Sequence, residues 1–452
     1  MPQWPVLCLE LLRSYVSPSR KGLTPRSIRE LRLNRRPNDK GRVFTPSDYP
    51  DDLQNADPTL AATESLMLTT RFVSLFPQAL IARTLLITTL CASAALAEPG
   101  VTTDTLTLGQ STALSGPVGD LGQEVLKGAK VYFDAVNAQG GIHGRLIKLV
   151  SKDDAYDPKK TLENVAGFIE GNATFALFSP FGTANNEALI PVAQKAGMPV
   201  LTPYTGAPSI RGASSQGVFN IRASYADEID RLVNHLSTVG IRRIAIAYQN
   251  NGFGKEVLTA ANDSLERRKL KALITVSVET NASDAAAATD QLVASAPEAV
   301  ILALAGKPTI EVIKGIAQRR RGMQMYALSV LATPANLKAL GPDGTGVTIS
   351  QVVPFPNQSQ MPLVREYQQA MTRAGHTDFS HLSLEGYIDA KLVTEGLRRA
   401  GRALTQAGLV NAMDGMRNYN LGGMEVSFGK GATSGSRFVE LTMINGQGKL
   451  IK

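Results

Sequence analysis

The residues of this 452-residue chain best suited to hold a small anion are Phe181-Gly182-Thr183, directly ahead of a helical stretch. Glycine lets backbone approach a ligand closely. A threonine hydroxyl donates or accepts a hydrogen bond, and a helix N-terminus presents N–H groups that have no partner inside the helix. A carboxylate suits such a place. Position alone leaves two roles open to Thr183, holding that carboxylate or capping the helix. Residues 179–185 around this triplet belong to a set of six loops with one composition. The others are 111–119, 202–209, 249–254, 305–308 and 329–333, all rich in Gly, Ser, Thr, Pro and single aromatics and poor in charge.

Groups that could carry acid–base, nucleophilic or metal chemistry are sparse. The four histidines, His143, His235, His376 and His381, are remote in sequence from these loops. Asp153-Asp154 follows a strand and invites a reading as an acid/base or metal pair. A turn and cap role ahead of Asp157-Pro158 is preferred. No glycine-rich dinucleotide fingerprint, phosphate loop or nucleophile elbow occurs. Arg319-Arg320-Arg321 reads as a solvated helix end. Asn172-Ala173-Thr174 and Asn281-Ala282-Ser283 match glycosylation sequons that are frequent by chance. The expectation is a protein that is not an enzyme and needs no cofactor or metal.

Composition supports this. The chain is 43% hydrophobic and 19% charged, and its mean hydropathy is near zero, which excludes disordered, collagen-like and polytopic membrane classes. Of the net +8, residues 1–97 hold 12 Lys and Arg against 8 Asp and Glu, so the rest carries only +4. No basic stripe interleaved with aromatics appears, so nucleic acid is not an expected partner. Cys8 and Cys91 form neither a zinc nor a redox pattern.

The front of the chain reads as processing signal. Arg71 and Arg83 precede the apolar run TLLITTLCASAALA at 84–97, and Ala95-Leu96-Ala97 has the shape of a signal peptidase site. The run is shorter than the roughly 20 residues of a membrane span. Cleavage after Ala97 and a periplasmic product are expected. Leu90 before Cys91 argues against lipidation. Residues 67–97 are read as the signal peptide, with translation starting at Met67, and 1–66 as a mis-assigned or disordered extension.

Beyond residue 98, strands and helices alternate twice. Strands are expected from Leu106, at 146–150, 174–178 and 199–201. Helices are expected at 121–137, from Asp157-Pro158, and at 185–196. A second array has strands at 244–248, 273–278, 299–304, 325–329 and 347–353, with helices at 255–268, 284–295 and 309–321. Helices return at 362–374, 383–400 and 405–416, and the end is β-rich at 424–428 and 437–444. The fold class is α/β, two Rossmann-like lobes, each a parallel sheet flanked by helices. Ligand sites in such sheets lie at the carboxyl ends of strands, which is where the six loops fall.

Leu114-Ser115-Gly116-Pro117, Gly128-Ala129, Asn137-Ala138-Gln139-Gly140-Gly141-Ile142-His143-Gly144 and Asp153-Asp154 resemble the start of the periplasmic leucine/isoleucine/valine-binding family, the solute-binding subunits of ABC importers. The likeness runs on through Ala196-Gly197-Met198-Pro199-Val200-Leu201-Thr202-Pro203 and through Ile244-Ala245-Ile246 to Phe253-Gly254, and covers nearly all of 104–452. It implies the type I periplasmic binding fold, with lobe 1 at 98–221 plus 354–428 and lobe 2 at 222–353 plus 429–452. A three-stranded hinge would join them near 220–222, 353–354 and 428–435. By alignment, first-lobe contacts to a ligand carboxylate map to Gly182, Thr183, Tyr204, Thr205 and Gly206, and a second-lobe aromatic wall maps to Phe253. With Ser115, Leu121, Phe181 and Ser329, these make up the expected site.

Three departures from the family pattern matter. Amino-acid binders carry an acidic residue in the second lobe for the α-ammonium. Here its place falls at Ser329-Val330, and no Asp or Glu lies between Arg320 and Pro342. A family Thr is replaced by Gly206 beside Thr205, and a family aromatic aligns with Leu121. A disulfide of some relatives aligns with Tyr156 and Gly182, so both cysteines are absent. The expected ligand is therefore a small carboxylate-bearing molecule without an α-amino group, such as an aromatic or branched aliphatic acid, or an amide. An ordinary branched-chain amino acid is the alternative. The expected partner is an ABC importer permease, with the protein monomeric. A periplasmic sensor of the same fold and, last, a secreted hydrolase are the other classes.

Overall fold

The computed structural model describes residues 98–212, 216–429 and 434–452. The readings placed on 1–97, signal segment and extension included, lie outside the described residues.

The first array forms β1 (Thr105–Thr112), α1 (Gly119–Asn137), β2 (Leu146–Asp153), α2 (Pro158–Ile169), β3 (Ala176–Phe178), α3 (Thr183–Lys195), β4 (Val200–Leu201) and β5 (Val218–Phe219). Asp157 caps α2 by accepting from Lys159 N, with Pro158 in its first turn, as its sequence predicts. The sheet is wholly parallel in the order β2-β1-β3-β4-β5. Neighbours of β1 depart in opposite directions, which opens a crevice at its carboxyl end. The residues that leave β3 and β4 into that crevice, Ser179 (φ 43°) and Thr202 (φ 50°), adopt left-handed backbone that non-glycine residues rarely take.

The second array begins with α4 (Tyr225–Thr238), an element the strand–helix alternation above does not include. β6 (Ile244–Gln249), α5 (Gly252–Arg267), β7 (Thr275–Val278), α6 (Ala285–Ala294), β8 (Ala299–Ala303), α7 (Lys307–Arg319), β9 (Gln324–Ala327), α8 (Pro334–Leu340) and β10 (Thr348–Gln351) follow. Then come α9 (Pro362–Arg373), α10 (His381–Ala400), α11 (Gln406–Asp414), β11 (Tyr419–Asn420), β12 (Glu425–Val426), β13 (Glu440–Ile444) and β14 (Leu450–Ile451). The second sheet runs β14-β13-β10-β9-β8-β6-β7. Its five central and far strands are parallel, and the late strands β13 and β14 add antiparallel at one edge.

The chain passes between these sheets more than once. Asn220, just after β5, bridges Ser434 in parallel. Residues of α9, α10 and α11 share a buried core with β1 and α1 of the first sheet, although they follow β10 of the second. α10 and α1 touch backbone to backbone through two glycines. A Cβ on Gly128 would stand 1.7 Å from the Ser383 carbonyl oxygen, and one on Gly386 would stand 2.0 Å from that of Val125. Only glycine permits that approach. Gly128→Ala is expected to separate the two helices and lower unfolding free energy by about 3 kcal/mol or more, read from denaturant midpoints.

Candidate functional site

Gly182 (φ 92°) is the N-cap of α3, which has no side-chain cap. The capping role left open for Thr183 is therefore set aside, since Thr183 is the first helical residue. Its hydroxyl lies 2.8 Å from that of Thr205. Thr205 Oγ1 also accepts from Ala207 N at 3.1 Å and donates to the Tyr225 hydroxyl at 3.3 Å. The first-turn amides of α3 thus stand beside a pair of hydroxyls, an arrangement suited to a carboxylate. A Cβ on Gly182 would sit 2.2 Å from the Tyr156 ring. The two positions that align with a disulfide in some relatives are in contact here as well, and the tyrosine ring fills the space.

Phe181 and Tyr204 pair as a parallel bridge, with Gly182 N donating to Tyr204 O and Tyr204 N to Pro180 O. That pairing stacks their rings at 5.0 Å with planes 10° apart. Tyr156 meets Phe181 edge-on at 5.8 Å. Across from them, Phe253 in the first turn of α5 meets Tyr225 edge-on at 5.2 Å, and Gly206 is packed beneath the Tyr225 ring. Leu121, Phe181, Tyr204, Phe253 and Val330 belong to one buried cluster that also contains the core of the second sheet. Thr333 Oγ1 donates to Asp120 Oδ2 at 2.6 Å, and a Cβ on Gly306 would meet Pro117 O at 2.1 Å. The loops of the two sheets are closed on each other.

Ser115 is exposed, and its hydroxyl donates to Asp153 Oδ2 at 2.6 Å. Asp153 also accepts from Leu114 N and Ala155 N, while Asp154 accepts from Ser111, Thr161 and Tyr156 N. These two carboxylates fasten loops, in keeping with the turn reading. Among the described residues no group of three or more His, Cys, Asp or Glu is placed to hold a metal ion, and no described helix is long and apolar enough to cross a membrane.

The sequence reading missed the residue that joins these walls. Arg222 is 1% exposed. Its guanidinium lies 4.6 Å over the Tyr204 ring, and its Nη2 donates to Ser329 Oγ. Glu385 of α10 stands 3.3 Å from its Nε, and Glu228 of α4 stands 3.7 Å from its Nη2. Glu228 Oε2 accepts from Ser329 N at 3.0 Å and from Ser350 Oγ at 2.7 Å. The second-lobe position that lacks an acid in sequence therefore has one in space, already facing a cation. The signal for α4 was present, since Ser224 and Asp227 form a capping box ahead of Ile229, Leu232, Val233 and Leu236.

Electrostatics within the cluster follow from burial. Burial opposes the charge of Arg222, but Glu385, Tyr204 and Glu228 outweigh it and raise its pKa, so it stays a cation. Burial pushes the Glu385 carboxyl up to about 7 against the pull of Arg222. Asp389, which accepts from Ser179 Oγ at 3.1 Å, is pushed well above the carboxylate range by burial and then by Glu385. His381, in the first turn of α10, is buried against Phe355 and driven down to about 3 by burial.

A family profile described as "Periplasmic binding protein" matches residues 105–449. Over 156 residues the chain is 26% identical to the "Leu/Ile/Val-binding protein" of Escherichia coli (strain K12), covering 34% of this chain and 42% of that protein. The match thus spans less than half the length of that relative. A substrate-binding periplasmic protein from Ralstonia solanacearum is 32% identical, with a TM-score of 0.71 over 76% of this chain and 99% of that one. A branched chain amino acid ABC transporter protein from Thermus thermophilus, solved with bound valine, shares the fold at TM-score 0.71 and 18% identity, over 78% of this chain and 96% of that one.

A pH dependence follows from Glu385. Its folded pKa of about 7 lies above the ordinary 4.5, so the folded state holds a proton that the unfolded chain releases first. That contribution is fully present below about pH 4.5 and is lost as pH rises through about 7. His381, kept neutral, acts in the opposite sense, losing stability as pH falls from 6.5 toward 3. Glu385→Gln is expected to remove the first effect and to weaken that of Asp389, whose raised pKa acts in the same sense, while leaving that of His381. The difference between variant and parent, on the order of 3 kcal/mol, should grow between pH 5 and 7.5 in denaturant titrations.

Proposed function

Because the chain belongs to the periplasmic binding protein family, we propose that it captures a small carboxylate-bearing ligand without an α-amino group and delivers it to an ABC importer permease. The fold and the relatives are those of binding proteins. The ligand's carboxylate would meet the first-turn amides of α3 with Thr183 and Thr205. Its body would lie between Phe181 and Tyr204 on one side and Phe253 on the other. Lobe 1 at 98–221 plus 354–428 and lobe 2 at 222–353 plus 429–452 would close on it about the crossings, in the periplasm and as a monomer. An aromatic or branched aliphatic acid, or an amide, suits these walls.

The observation that carries this reading is Arg222. The carboxylate beside Ser329 faces a guanidinium that is bonded to Ser329 itself. An α-ammonium entering there would find a carboxylate already bonded to Ser329 and Ser350 and shared with a cation, and a buried charge facing a like charge is disfavoured.

Thermal-shift measurements on the purified protein test this against leucine, isoleucine, valine, phenylalanine, their 2-keto acids, benzoate-type acids and aliphatic amides. A ligand at 100 times its Kd adds about 2.7 kcal/mol of stability. Acids or amides are expected to stabilise the protein where the amino acids do not, and the reverse ranking refutes the reading. Thr183→Ala should weaken the best acid by about 1.5–3 kcal/mol, the worth of a hydrogen bond to a charge, and unchanged affinity removes Thr183 from the site. Phe253→Ala should lose at least about 1 kcal/mol of affinity by calorimetry, and full retention removes the second-lobe wall.

A further inference from the structure

Four buried polar atoms at the centre of the closed cleft have no hydrogen-bond partner among the described residues: Arg222 Nη1, Glu228 Oε1, the Tyr204 hydroxyl and Arg222 Nε, the last of which faces Glu385 at 3.3 Å. The first two are fixed in place by other bonds of the same side chains. Arg222 is tied through Nη2 to Ser329, and Glu228 through Oε2 to Ser329 N and Ser350. Tyr204 lies under the guanidinium. A guanidinium N–H only donates, and an ionised carboxylate oxygen only accepts. Between two walls of the proposed site, then, the cation keeps a donor without a hydrogen bond at Nη1, and the anion keeps an acceptor at Oε1, which lies 3.7 Å from Arg222 Nη2, beyond hydrogen-bond reach. Leaving both unmatched in a closed cleft is unfavourable, so a ligand that supplies both partners favours closure.

Charge decides which group does so. An ammonium would satisfy Glu228 and meet Arg222. A second carboxylate would satisfy Arg222 and meet Glu228, with Glu385 already 3.3 Å from Nε on that guanidinium. A methyl terminus satisfies neither atom. We infer that Arg222 and Glu228 together read a second polar group of the ligand, a neutral planar group that offers both a carbonyl and an N–H, as a primary carboxamide does. The carbonyl takes Nη1, the N–H donates to Oε1, and the ion pair stays balanced. This inference rests on the carboxylate reading above and narrows it to acids that carry an amide at the far end.

Isothermal titration of the protein with malonamate, succinamate, glutaramate and adipamate tests it. Each is compared with the matched diacid and with the matched monoacid, propionate to hexanoate. At the best chain length the monoamide is expected to bind at least about tenfold tighter than both, the worth of one hydrogen bond to a charged group. E228Q, which turns the acceptor into an amide, should bring monoamide and diacid to within about threefold of each other. Should that variant not fold, R222K keeps the cation, loses the fork, and should bring the monoamide down to the monoacid. Monoacids that bind as tightly as monoamides overturn this inference and leave the carboxylate reading standing. Absence of monoamide binding at every length overturns it too, as does a preference that survives both variants. Binding confined to α-amino acids overturns both readings together.

Discussion

A single buried guanidinium governs this cleft. Arg222 is placed where the chain leaves the first sheet for the second, and burying a cation there is tolerable only because carboxylates come to it from both sides. Glu385 reaches it from α10, which shares the core of the first sheet, and Glu228 reaches it from α4, at the entry to the second. Ser329 and Tyr204, from opposite walls, complete its shell. Removing any one of these groups would leave a buried charge or polar atom without its partner, which is why the crossing, the walls and the closed cleft belong together.

Parallel topology puts these groups within reach of each other. In each sheet the neighbours of a central strand depart in opposite directions, and the loops at the carboxyl ends gather over the gap. On the first sheet this brings the turn after β3 beside the turn after β4, so that Phe181 stacks on Tyr204 and the hydroxyls of Thr183 and Thr205 meet. On the second it brings the start of α5 and the segment after β9 to face them, and supplies Phe253 and Ser329. Backbone constraint preserves the arrangement: left-handed Ser179 and Thr202 leave the strands, and Gly182 and Gly206 leave room for the rings of Tyr156 and Tyr225.

Much of this was legible in the residues themselves. Alternating strand and helix periods fix an α/β fold, and that fold fixes which loops can hold a ligand, because side-chain period and strand direction are local properties. Phe181, Thr183, Tyr204, Thr205 and Phe253 fall in those loops, the family resemblance singled out Thr183, Tyr204, Thr205 and Phe253 among them, and the structure brings the five side chains close together. Ser115, whose type also suited the site, is drawn instead to Asp153 at an exposed turn.

Tertiary structure alone decided the electrostatics. Ser329 has no acidic neighbour in sequence, yet a carboxylate 101 positions away accepts its amide and a guanidinium 107 positions away donates to its hydroxyl. The type of a charged residue does not disclose its partner, since opposite charges are brought together by packing of elements far apart along the chain. Nor does it disclose protonation: burial, not residue type, raises Glu385 toward neutrality and lowers His381. The sequence thus determined which loops gather at the carboxyl ends of the strands, and the packing of the two sheets determined which charges stand among them.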